Sequence, residues 1–166
     1  MDKMGQSNYG SSANVIYLVR ENDDHTALIQ YGNVAQYYST VTDCINRHLD
    51  DGLCIIVGVD HTLKREINDG TIDHFVLIVG REYNEETRLY EFIYVETGTN
   101  NSEKGYNPDN RFVFDQTVGM YVDDSAGSSG AKNYTLTELR PNDGDNSGTI
   151  SQPAKRIFRF FKIIWS

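Results

Sequence analysis

The sequence predicts an α+β domain with its helices segregated at the N-terminal end and packed on an antiparallel β-sheet. Three observations carry this reading. Apolar residues recur at three- and four-residue steps before residue 50, they gather into short β-branched runs after it, and a turn-rich segment links two of those runs as a hairpin. At 166 residues, with 39% hydrophobic and 11% aromatic content and three prolines, the chain can close a core of its own and is too apolar for a disordered segment. We therefore read residues 1–166 as a single domain.

A first helix is predicted over residues 13–21, with Ser11 or Ser12 as its N-cap and Val15, Leu18 and Val19 on its apolar face. The second is marked by Val34, Tyr38, Val41, Ile45 and Leu49 and stops at Asp51-Gly52. After it the period changes. Residues 53–59 read as a strand buried on both faces, 75–79 as another, and 89–95 alternate apolar and polar; these three form the sheet core, with 80–88 as the hairpin between the last two. Shorter strands are predicted at 111–114, 120–122 and 134–140, separated by loops at 97–110, 123–133 and 141–152 that are long enough to touch a substrate or a partner. The tail, 154–165, mixes seven apolar side chains with Lys155, Arg156, Arg159 and Lys162, and reads as a last packed strand or helix, with a membrane-surface element as the alternative.

Charge narrows the partners. Residues 1–150 hold all 24 acidic and 11 of the 15 basic residues and so carry −13, against +4 in the tail. A nucleic-acid duplex needs a contiguous basic face, so this partner is excluded. The longest apolar stretches are only strand-length, which leaves no transmembrane segment, and residues 1–10 lack the basic and apolar regions of a signal peptide. The expectation is a protein that acts where it is made, or a piece of a longer polypeptide that delivers it. Cys44 and Cys54 allow at most one disulfide and leave the redox compartment open.

Among residues that could carry chemistry, His74 stands out because it opens the strand Asp73-His74-Phe75-Val76-Leu77-Ile78-Val79, where a sheet would hold it rigidly at a cleft. The hairpin brings the end of the neighbouring strand, Tyr94-Val95-Glu96, within reach. A carboxylate there would take the proton of one ring nitrogen, fix the tautomer and leave the other nitrogen to activate a nucleophile. The place for a nucleophile is the start of the first helix, where free amides and the helix dipole stabilise a thiolate and an oxyanion. That stretch reads Gln6-Ser7-Asn8-Tyr9-Gly10-Ser11-Ser12-Ala13.

With these residues in hand, the chain resembles the papain-like cysteine peptidases, a class that includes bacteriocin-processing peptidases and the NlpC and CHAP cell-wall amidases. The family carries a Gln that donates to the oxyanion and, six residues on, a Gly-Ser-Cys step; Gln6 falls on the Gln and Ser12 on the Cys. The resemblance spans roughly residues 6–98, and rests on the order of nucleophile, His74 and then a polar orienter. Glu96 as third residue leans towards the amidases, with Asn100 or Asn101 as its alternate. The resemblance implies amide hydrolysis through a thioester: position 12 attacks, Gln6 and a helix-start amide hold the oxyanion, and His74 protonates the leaving amine before activating water.

Ser12 leaves two readings open. A natural serine implies a catalytically dead relative or a serine variant, and a serine put in place of cysteine to silence a harmful enzyme leaves the family chemistry standing; the retention of Gln6, His74 and Glu96 favours the second. Similar segments occur in toxin domains attached to bacterial secretion proteins, so the resemblance further implies an antibacterial effector delivered by a secretion system. It would cleave peptides, proteins or peptidoglycan and would be met by a cognate immunity protein. No cofactor is implied. Three other groupings fit less well. Cys44, His48, Cys54 and His61 match no common zinc spacing, Asp143, Gly144, Asp145 and Asn146 lack a full calcium ligand series, and Asp60-His61 repeats Asp73-His74 and borders the same cleft or forms a solvated turn.

Overall fold

The computed structural model describes residues 15–61, 71–98, 102–124 and 134–141. Among the described residues it is a mixed fold of antiparallel strands with one long helix. The first described element is β1 (Ile16–Tyr17), and β2 (Val19–Glu21) then turns back on β3 (Leu28–Gln30) as a small ribbon. The helix predicted over 13–21 is therefore not formed from residue 16 onward. Val15, Ile16, Tyr17 and Val19 are β-branched or aromatic, and pairing of β1 with the last strand, Ile16 to Leu139 and Tyr17 to Glu138, outweighs the helical spacing of the apolar residues.

Helix α1 (Val34–Asp50) forms where the period placed it. Asn33 and Gln36 make a reciprocal capping box at its start. At its end the Gly52 N–H donates to Leu49 O and the Leu53 N–H to His48 O, and Gly52 takes φ of 73°, a left-handed conformation that glycine adopts without strain. Its buried face runs through Tyr37, Val41, Cys44, Ile45 and His48, about one position round from the expected stripe, so Val34 is exposed.

Six strands follow: β4 (Ile55–Asp60), β5 (His74–Asn84), β6 (Leu89–Glu96), β7 (Arg111–Asp115), β8 (Met120–Asp123) and β9 (Thr135–Arg140), with a short helix α2 (Ser102–Gly105) between β6 and β7. Each of the six predicted strands is present, and the hairpin between β5 and β6 is longer than expected, with its ladder running out to Asn84 and Leu89. Their order β9-β4-β5-β6-β7-β8 is closed by the pairing of β8 with β9, which makes a six-stranded ring, and β1 extends it along β9. Alternation fills the interior: Ile55, Val57 and Val59 from β4, Val76 and Ile78 from β5, Phe92 and Tyr94 from β6, and Leu136 and Leu139 from β9 are all buried. On the other side of β4, Gly58 lies under Glu138, where a β-carbon would sit 2.4 Å from Glu138 Cγ. Glu138 is fully buried and accepts a hydrogen bond from Arg140 Nε at 2.5 Å.

Candidate active site

The inward alternation of two neighbouring strands ends on polar side chains. In β5 the series Ile78, Val76 continues to His74, and in β6 the series Phe92, Tyr94 continues to Glu96; Val76 pairs directly with Glu96 and Val59 with His74. One end of the ring thus carries an imidazole and a carboxylate at diagonal positions on its inner side. His74 Nε2 lies 2.5 Å from Glu96 Oε1.

Further groups fix this carboxylate. Oε1 also accepts the Gly98 N–H at 2.7 Å, and Oε2 accepts the Tyr134 hydroxyl at 2.8 Å. Gly98 fits closely, since a β-carbon there would stand 2.7 Å from His74 Cε1. Partial burial works against the charged form of Glu96, but the hydrogen bonds from Gly98, Tyr134 and His74 outweigh it and hold the carboxyl below its ordinary pKa. Burial, and then the bond to Glu96, pushes the Tyr134 phenol far up, so its hydroxyl keeps its proton and donates.

The ionised carboxylate can only accept, so His74 Nε2 carries the hydrogen of this bond. Nδ1 is the nitrogen left for a proton from a nucleophile or a water. The Tyr134 ring stacks on the His74 ring at a centroid distance of 5.9 Å and meets the His61 ring edge-on at 5.8 Å. His61 stands beside Asp73: its backbone N–H donates to Asp73 Oδ2 at 3.0 Å, and its Nδ1 lies 2.7 Å from that oxygen but out of line for a hydrogen bond. His61 therefore borders the same end of the ring as His74.

The linkage of Glu96 to folding has a definite sign. A carboxyl whose folded pKa lies below its unfolded value, about 4.3, contributes stability that is fully present above that unfolded value and is lost as the pH falls through the folded one. Glu96→Gln is expected to be less stable than the parent at pH 7, and the gap is expected to close on acidification below pH ~4. Urea denaturation of both chains at neutral and acid pH measures it.

Gln6, Ser12, the alternates Asn100 and Asn101, the turn at Asp143–Asn146 and the tail 154–165 lie outside the described residues. Among the described residues, β1 and β2 are extended and the first helix starts at Val34 behind an Asn33 cap, so residues 16–21 supply no helix in whose first turn a thiolate or oxyanion would rest. Neither cysteine belongs to the site. Cys44 is buried on α1 with its Sγ 3.9 Å from His48 Nδ1, and Cys54 precedes β4 at the end opposite His74, its thiol pKa raised by burial. Among the described residues no three His, Cys, Asp or Glu side chains converge to hold a metal ion, and no helix is long and apolar enough to cross a membrane.

Tyr134 is the functional candidate that sequence reasoning missed. It stands 38 residues from Glu96, and only closure of the ring brings it there. The one local signal was an aromatic residue at the start of a predicted strand. In comparisons with protein-family models, with curated proteins and with solved structures, nothing matches this chain.

Proposed function

We propose that this chain is a papain-like cysteine peptidase or amidase domain that hydrolyses amide bonds through a thioester. It would serve as a bacterial antibacterial effector toxin acting on cell-wall peptides or proteins, be silenced here by Ser12, and be met by a cognate immunity protein. One observation carries the reading: His74 Nε2 at 2.5 Å from a Glu96 carboxylate that is itself bonded to Gly98 and Tyr134. An oriented imidazole of this kind is what acyl transfer to a thiol needs as base and then as acid.

In this mechanism a cysteine at position 12 gives its proton to His74 Nδ1 and attacks the carbonyl carbon. The Gln6 side chain takes up the oxyanion with a backbone N–H, as the resemblance implies. The imidazolium, facing Glu96, protonates the departing amine. Neutral His74 then draws a proton from water, which attacks the thioester and frees the acid. Serine at position 12 is a far weaker nucleophile with this base, so the chain as it stands is expected to turn over very slowly.

The extended conformation of residues 16–21 favours a second reading, because it removes the helix that papain-like order places behind the nucleophile. In that reading the chain is a non-catalytic binding or immunity module that keeps the cleft. Ser12→Cys separates the two. Incubated with purified peptidoglycan and with casein, it is expected to release fragments from one of them. Cleavage of neither, by a variant that folds, would sink the hydrolase reading in favour of the binding module.

A further inference from the structure

Resting on the reading of His74 as the base, we infer that Tyr134 is a positioning residue that selects which nitrogen of His74 reacts. It touches both members of the pair. Its hydroxyl donates to Glu96 Oε2 at 2.8 Å, and its ring stacks on the His74 ring at 5.9 Å with an interplanar angle of 29°. The Gly98 N–H holds the other carboxylate oxygen at 2.7 Å, so the carboxylate is pinned from both ends and cannot turn about its last torsion.

The consequence follows from the count of donors and acceptors. With Oε2 occupied by Tyr134, Oε1 is the oxygen that faces His74, and the ring must point Nε2–H at it and leave Nδ1 bare. Without the phenol, Oε2 is a part-buried charged oxygen that has lost its charge-assisted hydrogen bond. The carboxylate then rotates to recover a donor, and the stacked ring loses the fixed acceptor that chose its tautomer. Tyr134 itself is buried, at 6% exposure, between Tyr94, His61 and His74, which leaves the hydroxyl little freedom to bond elsewhere.

The test is nitrogen NMR of the histidine rings in the full chain, which reads each ring's tautomer directly and needs no turnover. In the unmodified chain at mildly alkaline pH, neutral His74 is expected to carry its hydrogen on Nε2. In Tyr134→Phe the ratio of that tautomer to the other is expected to fall about tenfold, which corresponds to about 1.4 kcal/mol. The rings of His25 and His48 should be unchanged. A merely structural Tyr134 would lower stability and leave the tautomer ratio alone, and that result in a folded Tyr134→Phe chain overturns the proposal. Should the variant fail to fold, the unmodified chain decides. A slowly exchanging Tyr134 hydroxyl proton together with hydrogen on Nε2 supports the assignment, and hydrogen on Nδ1 or a freely exchanging hydroxyl defeats it. Either outcome is separate from whether Ser12→Cys cleaves anything.

Discussion

In the Ser12→Cys chain, His74→Ala is expected to slow amide hydrolysis by about 10²–10⁴-fold, the usual contribution of a positioned acid–base group. The reason is geometric. No other imidazole of the described residues pairs with Glu96, since His25 contacts Glu21, His48 bonds to Cys44 O within α1 and His61 faces Asp73. Loss of the ring leaves Glu96 held by Gly98 and Tyr134, so the carboxylate stays in place with no base in front of it. The side chain is a quarter exposed, and its truncation also removes a hydrogen bond to Glu96, so some loss of stability is expected alongside the lost rate. Initial rates on the cleaved substrate, with a urea denaturation curve on the same sample, separate lost chemistry from lost fold. An undiminished rate would assign the chemistry elsewhere.

Tyr37→Phe is expected to destabilise the fold by about 3 kcal/mol, although it removes a single oxygen atom. That oxygen lies at the junction of the helix and the ring. It donates to Leu136 O at 2.7 Å and accepts the Tyr121 N–H at 3.1 Å, and the side chain is almost wholly buried. Burial drives the phenol pKa far up, against the smaller opposing pull of the Tyr121 amide, so the hydroxyl stays neutral and donates. Phenylalanine fills the same space but strands a carbonyl in β9 and an amide in β8, each out of reach of water. Two stranded buried groups cost about 1–3 kcal/mol apiece. Urea denaturation should show a lower midpoint at unchanged slope, because the surface exposed on unfolding is the same.

Much of this architecture was legible because it is written in local periods. The α1 stripe, its Asp51-Gly52 stop and the β-branched runs of β4, β5 and β6 each specify one conformation without help from the rest of the chain. Residues 13–21 were different. Val15, Leu18 and Val19 fit a helical face, and the decision fell to a strand more than a hundred residues away, which pairs Ile16 with Leu139. β3 escaped notice for a related reason, since three residues are too few to show alternation and the ribbon is held by its turn, where the Asn22 side chain accepts the Thr26 and Ala27 amides. At the site, His74 and Glu96 could be brought together on paper because one hairpin joins their strands. No such short path leads to Tyr134 or to the place of His61 beside it, which depend on how the ring closes.

The closing seam is narrow: β8 meets β9 through Val122 and Thr135, with the Asp123 N–H bonded to Tyr134 O at 2.8 Å. The very peptide that latches the cylinder therefore also delivers the phenol to the carboxylate. A polypeptide chain emerging from synthesis would hold a histidine and a glutamate side by side once the β5–β6 hairpin had formed, yet these would stay an unfinished pair until β9 arrived. Assembly of the His74, Glu96 and Tyr134 cluster and closure of the ring are, on this account, one event.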